Sequence, residues 1–276
     1  MGKTPASARV HGSLPGWKTA IVRTEENNIW IRGYDTVTLM RRGSFADVIF
    51  LLHQGRLPTR SERRLIEALL IGISDHGAGA PSCATARMVA SSNRQSVPAA
   101  VAAGVLAIGD EHGGAGSPCM ELIADCVARA RRDKISLPEA AAAAVEEAVA
   151  AKRRLPGFGH RVHTKDPRID FLFSLARRSK VAGDGVKAIL ALEAAVRERI
   201  KPLPANIDAA LAALLYDLGF PPSAARFIFI IGRVAGITAE IAEEYLRERP
   251  MRVRIPIDYD GEPARTPGRP KAKSRR

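Results

Sequence analysis

The stretch LPGFGHRVHTKDPR, residues 155–168, interrupts a sequence that otherwise follows helical patterns. Pro156 and Gly157 end any helix that enters from the alanine-rich segment before them. His160 comes directly after a glycine. Asp166 is followed by a proline, and this pair is a typical start of a new helix. The stretch therefore predicts two helices joined by a turn on which a histidine is presented to a ligand or to solvent.

Apolar periodicity and capping residues predict helices over most of the chain on both sides of this turn. A β-hairpin over residues 18–34, with its turn at Thr24–Asn28, is the only predicted sheet. The predicted fold class is therefore all-α. The helices are expected at 44–55, 59–70, 80–92, 97–108, 117–132, from 136 to about 152, from 166, and at 183–199, 205–217 and 222–247.

The bulk composition indicates a globular protein of one large or two modest domains. The chain has 276 residues, is 46% hydrophobic and carries a formal net charge of +13. No apolar run reaches the length of a membrane span and the N-terminus lacks the apolar core of a signal peptide, so a cytoplasmic protein is expected. The three cysteines (Cys83, Cys119 and Cys126) show no metal-ligand spacing and are expected to be reduced packing residues.

The C-terminal residues 263–276 carry six Lys and Arg residues and no acid. Such a run is typical of a solvated, disordered tail. Nonspecific contact with nucleic acid or another polyanion is the alternative. The tail has no aromatic residue that could stack on bases, which weighs against nucleic acid.

Three histidines lie beside glycines at predicted helix ends: His76 in SDHGAGAPS, His112 in GDEHGGAGSP and His160 in GFGHRV. One such histidine is usually structural, but three in the same setting favour a shared site, because glycine lets the backbone approach a ligand closely. Asp208 stands in the first turn of an apolar helix, where it is either an N-terminal dipole partner or a base aimed into a cleft.

Other site types fit the sequence poorly. The histidines lack i, i+4 spacing and have no accompanying Glu or Cys ligand, so a metal site is not expected. HGGAG is not followed by Gly-Lys-Ser/Thr, and the sequence contains no Gly-x-Ser-x-Gly elbow, so neither a P-loop nor a serine hydrolase is indicated. His11 and His53 are expected to be surface or core residues, and the role of His163 is open.

Six short motifs, taken in their order along the chain, resemble those of the citrate synthase family. They are DH, HGGA, GFGHRV, DPR, NID and GR. The resemblance covers roughly residues 18–261. Between the LPT of residues 57–59 and the DH of 75–76 the family usually carries a long helical insert, where this chain has room for one helix. In that shortness the chain resembles citryl-CoA lyases and the citryl-CoA-cleaving end of ATP-citrate lyase.

This resemblance implies a two-lobed helical fold and a role for each matching residue. The large lobe would be 1–118 with 225–262 and the small lobe 119–224, followed by the tail of 263–276. Catalysis would fall to His112, His160 and Asp208. Oxaloacetate or citrate would be bound by His76, Arg168, Arg233 and Arg254, the last in an altered motif and crossing from a partner subunit, which implies a homodimer or larger oligomer. CoA would be bound by Gly157, Phe158, Gly159, Arg161 and Lys165.

The function implied is interconversion of citryl-CoA with acetyl-CoA and oxaloacetate, with the CoA thioester as substrate and no permanently bound cofactor. The short chain favours a lyase, whereas the intact His112 is also compatible with a citrate synthase that hydrolyses citryl-CoA. A methylcitrate synthase is a further alternative. A catalytically silent binding protein of the same fold is the alternative from outside the enzymes.

Overall fold

The computed structural model describes residues 16–159 and 165–267. It begins with a small antiparallel sheet of three strands in the order β1-β2-β3. The predicted hairpin is confirmed, but its turn is only Glu26-Asn27, because Glu25 pairs with Asn28. The third strand was not predicted. It follows a two-residue turn at Arg32-Gly33, where both residues have positive φ (48° and 85°). The strands are β1 Val22–Glu25, β2 Asn28–Ile31 and β3 Tyr34–Asp35.

The remainder of the described chain forms eleven α-helices, which confirms the predicted all-α class. They are α1 Thr36–Arg42, α2 Phe45–Gln54, α3 Arg60–Ile73, α4 Pro81–Ser92, α5 Val97–Leu106, α6 Gly116–Asp133, α7 Leu137–Ala150, α8 Pro167–Arg178, α9 Asp184–Arg199, α10 Ile207–Asp217 and α11 Ala224–Arg247. None of these helices is long and apolar enough to cross a membrane.

Capping residues set most of the helix starts, as predicted. Ser44, Thr59 and Ser136 each close a capping box, in which the side chain of the third helical residue bonds back to the cap. Asp166 caps α8 by accepting a hydrogen bond from the backbone N–H of Arg168. Helix α7 ends at Ala150, so the basic residues 152–154 follow the helix instead of forming its last turn.

Helix α10 lies at the centre of the larger hydrophobic core and packs on α3, α6, α8, α9 and α11. Its side chains are almost all buried, including Leu211, Leu214 and Leu215. This core contains residues from both sides of the predicted lobe boundary at 118, so the division into two lobes stays a prediction. All three cysteines are unpaired and buried, as expected of packing residues.

A second, smaller core joins α4, α5 and α11 through alanine and isoleucine side chains. After α11, residues 251–267 form neither helix nor strand and are exposed. The remainder of the predicted basic tail, residues 268–276, lies outside the described residues, as do residues 1–15 with His11 and residues 160–164.

Candidate active site

The two positions after His112 must be glycine, because neighbouring atoms leave no room there for a side chain. Gly113 has φ 75°, and a Cβ there would lie 2.2 Å from the ring of Phe229. A Cβ on Gly114 would lie 2.4 Å from the carbonyl oxygen of Gly109. The turn is closed by reciprocal backbone hydrogen bonds of 3.0 Å between Gly109 and His112. It thereby seats the imidazole edge-on against the Phe229 ring, with the ring centroids 6.2 Å apart.

Contacts with the first turn of α4 determine which ring nitrogen of a neutral His112 carries the proton. The backbone N–H of Ser82, in the first turn of α4, donates to Nε2 of His112 at 3.3 Å, and the Ser82 hydroxyl lies 2.9 Å from the same nitrogen. Because a backbone amide can only donate, Nε2 must carry a lone pair, which places the proton of the neutral ring on Nδ1. A neutral His112 has one N–H, which is the donor that a developing oxyanion needs.

Arg233 is buried on α11 and contacts Ser82 and Phe229, the two residues that also contact His112. Its Nε donates to the carbonyl of Ile73 at 3.0 Å, its Nη1 lies 3.3 Å from the hydroxyl of Ser82, and its guanidinium sits 4.9 Å over the Phe229 ring. Burial lowers the pKa of Arg233 from its ordinary value. Ser82 thus links Arg233 to His112. No sequence motif marked Ser82, because its role depends on residues far away in the chain.

Arg168 is held from one side by its own helix cap. Asp166 accepts from Nε and Nη2 of Arg168 at 2.9 and 2.6 Å, and Nη1 donates to the carbonyl of Gly72 on α3 at 2.9 Å. A guanidinium has more N–H donors than these three contacts use. Arg168 is therefore oriented by Asp166 and retains donors for an anion.

Asp208 is a partly buried carboxylate in the first turn of α10. Asn206 caps α10 by accepting from the backbone N–H groups of Asp208 and Ala209 at 3.0 and 3.3 Å, which sets where the helix begins. Among the described residues, Oδ1 of Asp208 is buried and has no hydrogen-bond partner. Burial raises the pKa of Asp208 to about 6, while the nearby charges of Arg168 and Arg233 act in the opposite direction. Asp208 therefore lies close enough to Arg168 and Arg233 to interact with both charges.

Residues 157–159 are fastened to the segment that leads into Asp208. The backbone N–H of Gly159 donates to Pro204 at 2.8 Å, and that of Asn206 donates to Gly157 at 2.9 Å. The Asn206 side chain also donates to the carbonyl of Gly159 at 3.0 Å. Gly157 has φ 85°, and a Cβ there would lie 2.8 Å from the sulfur of Cys119. Between the two glycines, Phe158 is partly buried against the larger core.

Lys165 lies at the rim of a cavity of about 550 Å³ between α8, α9 and residues 202–205. Its ammonium group forms an exposed ion pair with Asp170 at 2.6 Å. The cavity lining includes the apolar residues Ile169, Phe173 and Leu203 together with charged residues such as Glu193 and Arg197.

The other predicted site residues lie in less enclosed surroundings. His76 is exposed, and its backbone N–H donates to Asp75 at 2.7 Å. Asp75 interacts electrostatically with Arg233, so the loop that carries His76 lies beside the arginine. Arg254 is exposed on the segment after α11 and forms no hydrogen bond or ion pair with the described residues. His160 and Arg161 lie outside the described residues.

One group of possible metal ligands occurs among the described residues. The ligand atoms of Asp75, Cys83 and Glu240 lie within 4.8 Å of one another. The Cys83 thiol donates to Asp75 at 3.2 Å, and burial raises the pKa of this thiol to about 12. A metal would need the thiolate, so this group is poorly suited to hold one.

A family model described as "Citrate synthase, C-terminal domain" matches residues 59–254 of the chain. The chain belongs to the citrate synthase family. The predicted resemblance, including that to its short citryl-CoA lyase-like branch, is thereby confirmed. The citryl-CoA lyase from Hydrogenobacter thermophilus is 36% identical in sequence, superposes with a TM-score of 0.82, and is matched over 96% of its own chain and 91% of this one.

Curated members of the citrate synthase family are less similar and longer. The citrate synthase of Heyndrickxia coagulans is 30% identical over 206 residues, which are 73% of this chain and 52% of that protein. The 2-methylcitrate synthase 2 of Corynebacterium glutamicum is 32% identical over 209 residues, 73% of this chain and 50% of that protein. The chain thus spans about half the length of these curated relatives. An ATP citrate lyase from Methanothrix soehngenii, 20% identical with a TM-score of 0.75, shares the fold.

Proposed function

We propose that the protein interconverts citryl-CoA with acetyl-CoA and oxaloacetate, in the manner of a citryl-CoA lyase. The observation that carries the proposal is the buried oxygen of Asp208, which has no hydrogen-bond partner among the described residues and lies near Arg168 and Arg233, with His112 and Arg233 both in contact with Ser82. The similarity to a citryl-CoA lyase along nearly its whole chain supports the same reaction.

Asp208 is proposed as the group that moves the methyl proton of acetyl-CoA. In the condensing direction its carboxylate removes this weakly acidic proton. In the cleaving direction its protonated form returns the proton to the enolate. A pKa raised to about 6 leaves both forms populated near neutral pH, so the residue is suited to either direction.

His112 is proposed as the donor that stabilises the enolate. Negative charge develops on the thioester oxygen when the methyl proton leaves. The Nδ1–H of His112, fixed by the contacts of Nε2 with Ser82, can donate a hydrogen bond to that oxygen. A preorganised donor of this kind is worth on the order of 3 kcal/mol in the transition state.

The keto-diacid is proposed to be held by Arg168, Arg233, Arg254 and His76. Guanidinium groups bind carboxylates in a two-pronged manner that an ammonium cannot match, and Arg168 and Arg233 are already oriented by Asp166 and by Ile73. His160 is assigned by sequence resemblance alone as the group that donates a proton to the ketone oxygen during attack and removes it during cleavage.

The CoA part is proposed to run along the paired segments 157–159 and 204–206 towards Asp208. Their backbone hydrogen bonds form a continuous edge that ends at the capping residue of α10. Lys165, Arg161 and the basic residues 152–154 are the proposed contacts for the CoA phosphates. Release of Lys165 from Asp170 would accompany binding of a phosphate.

A homodimer is proposed because α5 is apolar on all sides yet buries only Ala100 and Gly104 within its own chain. Val97 and Leu106 on this helix are 46% and 85% exposed. A second copy of the chain would cover this face, and the exposed Arg254 would then complete the site of that copy. Three unpaired, buried thiols are consistent with the reducing cytoplasm as the proposed compartment.

Closure of the two predicted lobes would assemble this site and exclude water. Arg168 of the predicted small lobe donates to the carbonyl of Gly72 of the predicted large lobe at 2.9 Å, so the two predicted lobes are in contact beside the proposed site.

Citrate synthase and 2-methylcitrate synthase activities are the second candidate, favoured by the curated relatives. Incubation of the protein with citryl-CoA separates the candidates. A lyase releases oxaloacetate, which malate dehydrogenase and NADH detect, together with acetyl-CoA. A synthase releases free CoA and citrate, and this result without oxaloacetate would overturn the lyase proposal. If citryl-CoA is unchanged and no condensation of acetyl-CoA or propionyl-CoA with oxaloacetate occurs, the protein is a silent binding protein.

A further inference from the structure

A buried network of charges crosses the interface between α4 and α11. Arg87 on α4 donates from Nε to Glu244 at 2.9 Å and from Nη1 to Glu240 at 2.6 Å. All three residues are buried, and Glu244 has no exposed surface. Around them the two helices meet through small and apolar side chains, among them Ala86, Ala90, Ile237 and Ile241.

One end of this network holds the segment that carries Arg254. Arg252 donates from Nε and Nη2 to the two carboxylate oxygens of Glu244 at 2.8 and 2.6 Å. The backbone N–H of Met251 adds a hydrogen bond of 2.9 Å to Ser91 on α4. Arg254 follows two residues later and has no such anchor among the residues that the structure describes, so its position depends on Arg252.

The other end of the network reaches the residues that face the substrate. The carboxylate of Glu240 lies within 4.8 Å of the ligand atoms of Asp75 and Cys83. Asp75 accepts a hydrogen bond from the backbone N–H of His76 and interacts electrostatically with Arg233. Arg233 stands seven residues before Glu240 on α11, two helical turns away and on the same side of the helix.

Stability alone is a weak reason for this network. Desolvation of buried ions offsets much of their attraction, and apolar side chains of similar volume are often as stabilising or more so. The surrounding alanine and isoleucine contacts offer such an apolar alternative. A network retained in this place fits a requirement for fixed geometry.

We propose that Arg87, Glu240 and Glu244 are positioning residues that fix the anchors of His76 and Arg233 in the chain's own site and of Arg254 in the site of the partner copy, and thereby the placement of the groups that bind the carboxylates of the keto-diacid. This inference rests on the proposed function, because it needs Arg254 to contact a substrate carboxylate. None of the three is assigned a contact with the substrate.

The first test compares Glu244→Gln with the control Glu147→Gln, which breaks an exposed ion pair with Arg129 on the surface of α7. We expect Glu244→Gln to raise both the KM for oxaloacetate and its calorimetric Kd about tenfold, with the KM for the CoA thioester unchanged. The control should leave all three values at those of the wild type. Equal oxaloacetate binding by Glu244→Gln and wild type would overturn the inference.

A second variant separates positioning from folding. Replacement of Arg87, Glu240 and Glu244 together by Met removes the buried charges and keeps apolar volume. We expect its unfolding midpoint to be at least that of the wild type, with the same rise in oxaloacetate Kd. A lowered midpoint with unchanged oxaloacetate binding would assign the network to stability and overturn the inference.

A double-mutant cycle then asks whether the effect passes through Arg254. In an Arg254→Ala background, Glu244→Gln should cause no further change in oxaloacetate Kd. The same tenfold rise in both backgrounds would exclude Arg254 as the target. If wild-type protein neither binds oxaloacetate nor reacts with citryl-CoA, the proposed function itself fails. If the wild type binds oxaloacetate and the network variants bind it equally well, only the present inference fails and the proposed function stands.

Discussion

Replacement of Asp208 by Asn should make the protein more stable while it removes the proposed catalytic base. Oδ1 of this partly buried carboxylate is itself buried and has no hydrogen-bond partner among the described residues, so the ionised form is unfavourable in the folded protein. An amide of the same shape carries no charge that must be buried. The gain in stability should therefore depend on pH in a way that identifies its source.

The size of the effect follows from the pKa of Asp208, which is raised from 3.8 to about 6 on folding. Between these two values the folded protein holds a proton that the unfolded chain releases, so wild-type stability falls as the pH rises. Relative to Asp208→Asn, the wild type should be less stable by about 1 kcal/mol at pH 4.5 and by about 3 kcal/mol at pH 8. Below the unfolded pKa the difference should vanish.

Thermal unfolding of wild type and variant at pH 4.5, 6 and 8 measures this difference. At about 2 °C per kcal/mol for a chain of this size, the variant should unfold about 6 °C higher at pH 8 and about 2 °C higher at pH 4.5. Asp125→Asn on the exposed face of α6 is the control, and its midpoint should follow the wild type at every pH. A gap between Asp208→Asn and wild type that stays constant from pH 4.5 to 8 would refute the reasoning.

Three further outcomes are expected. Because the pKa of Asp208 is raised to about 6, kcat/KM for condensation of acetyl-CoA with oxaloacetate should fall about tenfold from pH 7 to pH 5, and a flat profile would exclude this group as the base. Ser82→Ala should lower kcat with citryl-CoA on the order of tenfold through loss of its hydroxyl contact with His112, while its unfolding midpoint should fall by only about 2 °C for the loss of one buried hydroxyl. Gly157→Ala should destabilise the protein by about 3 kcal/mol in denaturant unfolding, because it adds overlap with a buried thiol to a left-handed backbone. Its control, Gly219→Ala, has φ 77° but open space around it, and should lose only about 1 kcal/mol.

Helix positions could be predicted from the sequence wherever a local signal set them. The capping boxes at Ser44, Thr59 and Ser136 depend on residues three positions apart, so they can be read without tertiary information. Helix α1 and strand β3 were missed, because each is short and is held by the strand beside it. Helix α3 continues to Ile73, past its predicted end at residue 70, where contacts with other helices bury its last residue.

The sequence indicated candidate functional side chains, but it did not indicate the residues that orient them. Glycine-flanked His112 and the helix-start Asp208 were visible as local patterns, and the structure places Arg168 and Arg233 near Asp208. Ser82 and Asp166 escaped notice as site residues, because a serine near a helix start and an aspartate before a proline are ordinary capping residues. Their importance arises from long-range contacts. The place of Arg254 stays a prediction, since it depends on a second copy of the chain.

Exchange of the methyl hydrogens of acetyl-CoA with deuterium from solvent, followed by NMR in the presence of a non-reacting dicarboxylate analogue of oxaloacetate, tests the proposed chemistry most directly. The wild type should exchange these hydrogens, whereas Asp208→Asn should exchange none above the rate without protein and still bind oxaloacetate in calorimetry. Equal exchange by both proteins would remove Asp208 from the reaction and contradict the mechanism.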